Sequence, residues 1–292
     1  MPRRDSILPE EASILQHDEH AAAQYILRLQ APQIAAAALP GSFVHIRCDP
    51  GLPMRRPMSI MRADRKRGWI DVLYKAHGLG TGLLAQQAVG GTLSLLGPIG
   101  QPFKLQDYRA RPLLIGGGVG IPPMVFLAEH LRASKAELHP FVLMGSEVPF
   151  PFPGKPSQII VDGIPPDVIA CMPLLEDWGI ASRLTSLNDY SGCFTGYVTE
   201  LARLWLDSLA EPERAEVEIF SCGPTPMLQA VAELAQAYRL PCQVSLEEYM
   251  ACAVGGCAGC AVAVHKNGET SMQRVCVDGP VFEADEVFPA AA

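Results

Sequence analysis

Four cysteines near the end of the chain are spaced for soft-metal chemistry. Cys252, Cys257 and Cys260 form a C-x4-C-x2-C run, and Cys276 follows sixteen positions later. Four thiolates complete the two tetrahedral irons of a [2Fe–2S] cluster. The intervening residues Ala251, Ala253, Gly255, Gly256, Ala258 and Gly259 are small. Small side chains let backbone amides approach the sulfurs, where they stabilise negative charge and tune a potential. Zinc is the rival occupant. Zinc modules usually pair two short Cys-x-x-Cys knuckles, and this segment has one, with an extra cysteine five positions before it. Chance clustering of buried cysteines is the bland reading, and Cys48, Cys171, Cys193 and Cys242 fit it well.

Three further segments could hold phosphate-bearing ligands. Arg56-Pro57-Met58-Ser59-Ile60 puts an arginine and a hydroxyl three apart on an extended run, where both could face a pyrophosphate. Alone this is a weak signal, and an Arg-Pro at a turn before an edge strand is the commoner explanation. Leu73-Tyr74-Lys75 and Gly78-Leu79-Gly80-Thr81 add weight, because a glycine-rich turn feeding a helix start is a natural phosphate site. Gly116-Gly117-Gly118-Val119-Gly120, between a strand and a helix, sits where a doubly wound sheet takes phosphates. Its spacing is not G-x-G-x-x-G. Cys222-Gly223-Pro224 closes a second strand in the same way. Two such turns in one sheet favour a dinucleotide over two structural turns. No catalytic acid–base residue is singled out. His45, alternating in a strand, and His77 are read as structural or surface groups.

The elements that must position these residues follow from periodicity. Before residue 108, short alternating runs at Tyr25-x-Leu27-x-Leu29, 43–46, 69–74 and 92–96 are broken by Pro40-Gly41, Pro50-Gly51 and Gly90-Gly91. This predicts a small antiparallel β-barrel with one short helix near 83–88. From 109 to 240, strands at 112–115, 139–144, 158–161 and 217–221 alternate with helices at 122–132, 197–206 and 226–238, which predicts a parallel sheet with helices on both faces. Residues 148–156 hold four prolines and read as a loop. From 241 to 292, strands at 243–247, 261–265 and 273–275, with an Asn267-Gly268 turn, form a module too small for a confident core of its own. The fold class is thus multidomain β plus α/β.

Composition narrows the function classes. At 292 residues the chain exceeds one comfortable core. Hydrophobic residues at 49% and charged residues at 18% indicate a folded protein. A net charge of -8 argues against nucleic acid or an anionic membrane as partner, and the basic run Arg62, Arg65, Lys66, Arg67 reads as a solvated turn. No apolar stretch follows Met1 to Asp5 and none is long enough to span a bilayer, so a cytoplasmic location is expected.

In this order the motifs resemble the ferredoxin–NADP reductase-like superfamily, and most closely its NAD-linked dihydroorotate dehydrogenase electron-transfer branch. The resemblance covers nearly the whole chain. It rests on RPMSI (56–60), LYK (73–75), GT (80–81), LGPIGQPF (96–103), GGGVGIPPM (116–124), CGPTPML (222–228), CAVGGCAGC (252–260) and RVCVDGPVF (274–282). The cysteine spacing is also that of plant-type ferredoxins. The resemblance implies an FAD-binding barrel over 1–108, an NAD-binding domain over 109–240 and a [2Fe–2S] module over 241–292. It assigns FAD to Arg56, Pro57, Met58, Ser59, Leu73, Tyr74, Lys75, Gly80 and Thr81. It assigns NAD(H), a diffusible co-substrate, to Gly116, Gly117, Gly118, Gly120, Cys222, Gly223 and Pro224. It implies a hetero-oligomer with a separate FMN-containing catalytic subunit that oxidises dihydroorotate. Two departures stand out. Met58 occupies a position that is aromatic in many superfamily members, and 147–189 is longer and richer in proline. A similar reductase module serving another redox partner, such as a hydrogenase or glutamate synthase, is the first alternative. A zinc-stabilised binding or regulatory module without flavin is the second.

Overall fold

The computed structural model describes residues 7–104, 109–134 and 137–290. Met1 to Asp5 and residue 108, the expected end of the first segment, lie outside them. Contacts divide the chain into two compact units, Met1–Phe103 with Ser245–Phe282 and Lys104–Val244 with Glu283–Ala292.

The first unit opens with a closed antiparallel barrel. Its strands are β1 (Leu8–His20), β2 (Gln24–Gln30), β3 (Phe43–Ile46), β4 (Arg56–Asp64), β5 (Trp69–Lys75) and β6 (Thr92–Ile99), in the order β1-β2-β5-β4-β3-β6. Leu27 faces Val72 and Leu29 faces Ile70 across β2 and β5. With Ile14, Ile60 and Leu95 they fill the interior, as period-2 alternation requires. Two helices attach to the barrel, α1 (Pro32–Ala37) and α2 (Gly78–Leu84). Helix α2 starts earlier than the expected 83–88. Thr81 fixes it by bonding both the amide and the carbonyl of His77, and buried Leu84 ends it.

The second unit holds a sheet with β7 (Arg111–Gly117), β8 (Phe141–Gly145), β11 (Ala181–Ser186), β12 (Phe194–Thr195), β13 (Val217–Cys222) and β14 (Cys242–Ser245). A small ladder joins β9 (Lys155–Pro156) to β10 (Ala170–Cys171). Its longer helices are α3 (Ile121–Arg132), α5 (Val198–Ser208) and α7 (Thr225–Tyr238), with short α4 (Pro173–Asp177) and α6 (Glu211–Ala215). The sheet order is β12-β11-β8-β7-β13-β14, and β13, β7, β8, β11 and β12 run parallel. Numbered in chain order these six strands run 4-3-2-1-5-6, a doubly wound arrangement whose switch point lies between β7 and β13. The expected strand at 158–161 does not form. Ile160 is 88% exposed, and the backbone there bonds side chains, Gln158 N to Glu176 and Ile159 O to Arg183. The third parallel strand is β11, inside the long 147–189 segment.

The remainder of the first unit is the hairpin β15 (Ala261–Lys266) and β16 (Glu269–Arg274) with the cysteine loop before it. Asn267 and Gly268 turn the hairpin with φ of 54° and 80°, the left-handed pair that tight hairpins require. This module is tied to the end of the barrel. Gln101 N donates to Gly279 O at 2.6 Å, and Gln101 Nε2 donates to Val277 O at 3.1 Å. A Cβ at Gly100 would lie 2.4 Å from Pro280, so only glycine permits this approach.

Candidate functional site

The cysteine loop wraps backbone amides around sulfur. Gly256 N and Cys257 N donate to Cys252 Sγ at 3.3 and 3.4 Å, and Gly259 N donates to Cys257 Sγ at 3.4 Å. The turns need left-handed backbone at Ala253, Gly255 and Ala258. Burial raises the Cys252 thiol. The amides of Val254, Cys257 and Gly256 and the Cys257 thiol outweigh burial and bring it down to about 7. Cys276 is pushed up to about 12 by burial and by the neighbouring Cys260 thiol. Val275 N donates to Cys260 O, holding these two cysteines together, and Arg274 reaches back to Gly255 O at 3.1 Å.

The thiols therefore stand two and two, Cys252 with Cys257 and Cys260 with Cys276. Among the described residues, no three His, Cys, Asp or Glu side chains converge on one ion position. A binuclear cluster takes two thiolates at each iron, whereas structural zinc takes four ligands around one ion. Amides aimed at sulfur stabilise the net negative charge of an iron–sulfur cluster. The donor set fits the cluster better than zinc.

The segments assigned to FAD meet on the barrel. Strand β4 begins at Arg56, whose guanidinium donates to the carbonyls of Met54 and Arg55 and, among the described residues, pairs with no carboxylate. A Cβ at Gly80 would stand 2.9–3.0 Å from that guanidinium. Gly80 thus lets α2 lie against an uncompensated cation, which suits a pyrophosphate. One sequence expectation is corrected here. The β3–β4 register pairs Arg56 with Ile46, Val44 with Met58 and Phe43 with Ser59 without interruption. Residues three apart on such a strand point to opposite faces, so Arg56 and Ser59 do not face one ligand by strand geometry alone. Met58 is buried. Tyr74 is also buried, stacked on Tyr25 with ring centroids 5.3 Å apart.

In the second unit the two glycine turns come together at the switch point. Cys222 pairs with Gly116 in register. A Cβ at Gly120 would lie 2.2 Å from Cys222 O and 2.5 Å from Gly223 N. Met227 fills the space beside Gly117 and Gly223. Helix α3 follows with Pro122 and Pro123 in its first turn. Proline removes two of the free amides a helix start normally offers an anion, so backbone donors here must come from the glycine turn itself. Gly118, in the left-handed region with open space around its Cα, is placed to supply one.

Two histidines matter more than the sequence indicated. His45 is buried, and neither ring nitrogen has a hydrogen bond of good geometry among the described residues, although the carbonyls of Met250 and Arg55 lie near it. Burial lowers its pKa to about 4, and the charges of Arg55 and Arg56 add to this against the carbonyls of Met250 and Arg55. His17 bonds Tyr74 and the Gln87 carbonyl. Its partners lie 57 and 70 residues away, so no local pattern points to it.

Comparisons with known proteins agree with this geometry. Residues 247–288 match the family described as the iron-sulfur cluster binding domain of dihydroorotate dehydrogenase B. The chain is 33% identical over 267 residues to the dihydroorotate dehydrogenase B (NAD(+)) electron transfer subunit of Desulforamulus reducens, covering 90% of this chain and 92% of that one. It is 34% identical over 270 residues to the protein of the same name from Bacillus caldolyticus, with the same coverage. Among solved structures, the NADH-dependent reduced ferredoxin-NADP oxidoreductase superposes with a TM-score of 0.75 at 23% identity, over 94% of this chain and 89% of that one, which shows a shared fold. With identity above 30% across nine-tenths of its length, the chain belongs to the family of dihydroorotate dehydrogenase B (NAD(+)) electron transfer subunits.

Proposed function

We propose that this chain carries electrons between NAD(H) and a catalytic partner subunit that oxidises dihydroorotate, using FAD and a [2Fe–2S] cluster. The observation that carries the reading is the two-and-two thiol arrangement under backbone amides, in the same compact unit as the barrel. NAD(H) exchanges a hydride, a cluster exchanges single electrons, and a flavin converts between the two.

The chain's own residues would bind and orient. Cys252, Cys257, Cys260 and Cys276 hold the cluster. Arg56 supplies charge to the FAD pyrophosphate, while Pro57, Met58, Ser59, Leu73, Tyr74, Lys75, Gly80 and Thr81 shape the flavin site. Gly116, Gly117, Gly118 and Gly120, with Cys222, Gly223 and Pro224, line the dinucleotide crevice. Hydride transfer needs no protein acid or base, and none is assigned. The exposed Tyr249, 95% accessible and three residues before Cys252, is the contact we assign to the partner. Among the described residues no helix is long and apolar enough to cross a membrane, and all nine cysteines are free thiols. The thiols suit the cytoplasmic place we assign it, and the name of its relatives, an electron transfer subunit, suits a hetero-oligomer.

The test is a visible spectrum with iron, sulfide and flavin assays on the purified protein, followed by anaerobic NADH titration. Two irons, two sulfides and one FAD per chain, with flavin bleaching by NADH, are expected. One zinc without iron or flavin would refute the cofactor assignment, and a flavin that NADH never bleaches would refute the NAD assignment alone.

A further inference from the structure

We propose that His17 is a positioning residue for the flavin site, fixing the two FAD segments relative to one another from the mouth of the barrel. The proposal rests on the flavin reading above.

His17 Nδ1 lies 2.8 Å from Gln87 O, and its Nε2 lies 2.8 Å from the Tyr74 hydroxyl. A carbonyl only accepts, so Nδ1 carries the proton. In a neutral ring Nε2 then accepts, and the Tyr74 hydroxyl donates to it. The tautomer follows from the partners. The ring also packs against Tyr25, 5.4 Å between centroids, and Tyr25 stacks on Tyr74 at 15° between planes. His17 thus stands in an aromatic end-plug formed by β1, β2 and β5.

One bond reaches an FAD segment directly, and the other reaches the chain just beyond the helix that carries a second. Tyr74 is the centre of Leu73-Tyr74-Lys75. Gln87 continues α2 through tight turns, with Gln86 N donating to Leu83 O and Gln87 N to Leu84 O at 3.2 and 3.0 Å. Its side chain also reaches the carbonyl of Cys48 at 3.5 Å. At the other end of α2, Thr81 is closed onto His77 and Gly80 rests on the Arg56 guanidinium. Only Ala76 and His77 link β5 to α2. Without His17, the far end of α2 would keep the packing of Leu84 and the long Gln87–Cys48 contact at 3.5 Å but lose its link to Tyr74, loosening α2 against Arg56. His17 does not touch the flavin segments' outward faces; it acts through Tyr74 and α2.

The test compares holoprotein with His17→Leu, His17→Gln and Tyr74→Phe. FAD release is followed as recovered flavin fluorescence on dilution, alongside the bound-flavin circular dichroism spectrum and the melting temperature. A glutamine amide can reproduce the donor to Gln87 and the acceptor for Tyr74. His17→Leu is expected to weaken FAD binding about tenfold, the loss of two ordinary hydrogen bonds. It should also alter the bound-flavin spectrum. His17→Gln should recover most of the affinity, and Tyr74→Phe should weaken it less than His17→Leu. Unchanged FAD release in both His17→Leu and Tyr74→Phe would overturn the proposal, whatever their melting temperatures. So would a His17→Gln protein as weak as His17→Leu. A wild-type protein that binds no FAD at all would instead remove the flavin reading on which the proposal rests.

Discussion

Acidification should unseat His45 in a way that one substitution can isolate. The ring is buried, and neither nitrogen has a hydrogen bond of good geometry among the described residues. Burial, with Arg55 and Arg56 adding their charge, lowers its pKa from 6.5 to about 4. Between these values the unfolded chain binds a proton that the folded barrel refuses. Stability is therefore intact above pH 6.5, falls as pH drops toward 4, and loses nothing further from this group below that. Between pH 7.5 and pH 5 the linkage amounts to about 2 kcal/mol. For a unit of this size that is roughly 4–8 °C in melting temperature. His45→Leu keeps the volume and removes the titration. Because the native ring has no hydrogen bond of good geometry and only approaches the Met250 and Arg55 carbonyls, the variant should melt close to wild type at pH 7.5. Its advantage should then grow by about 2 kcal/mol at pH 5. Thermal unfolding of both proteins, followed by tryptophan fluorescence across this range, measures the difference directly and cancels every other titrating group. Parallel loss of stability in the two proteins would show that His45 is not held neutral, and the reasoning from its burial would fail.

Three other outcomes follow from specific contacts. Gly120→Ala places a Cβ 2.2 Å from the Cys222 carbonyl, so the two turns must separate. Anaerobic NADH titration should show affinity down at least tenfold while the flavin and cluster spectra persist, and normal titration would contradict the crevice assignment. Asp71→Ala leaves Arg28 without its two-pronged partner at 2.7 and 2.8 Å. Asp71 is buried but Arg28 is partly exposed and lies 3.9 Å over Trp69, so the cost should be about 2–3 kcal/mol in thermal unfolding, below the range for fully buried pairs. Tyr249→Ala should leave cofactor content and NADH bleaching unchanged yet slow electron exchange with the catalytic partner several-fold; an unchanged exchange rate would move the docking face elsewhere.

What could be read from the sequence was what depends on short separations. The cysteine loop is a local motif, and its spacing carries the chemistry. Strands β2, β3 and β5 are short apolar runs between Gly and Pro breaks; β3 and β5 are buried on nearly every residue, so their apolar content alone marked them. The failures have physical causes. Residues 158–161 are apolar enough for a strand, but a strand exists only with a ladder partner, and none reaches them. Helix α2 lies in a glycine-rich stretch of weak intrinsic preference, and its position is set by Thr81 and by Leu84 packing. The pairing of Arg56 with Ser59 on one face ignored the period of the strand that carries them. His17 was invisible because its partners are distant in sequence.

The division of the chain sharpens the electron path. The cysteine module shares a unit with the barrel and is joined to it by Gln101 bonding Gly279 and Val277, and by the close approach of Gly100 to Pro280. These are backbone and near-backbone contacts, which move little without local unfolding. On the proposed reading, the spacing between flavin and cluster is thus set within one compact unit. The nucleotide crevice is built wholly within the other unit, from β7, β13 and their glycine turns. Substitutions there, Gly120→Ala among them, should change how NAD(H) binds without changing how fast the flavin and the cluster exchange electrons. Binding of NAD(H) and the single-electron step are in this sense separable in the chain, because each is positioned by a different set of packed residues.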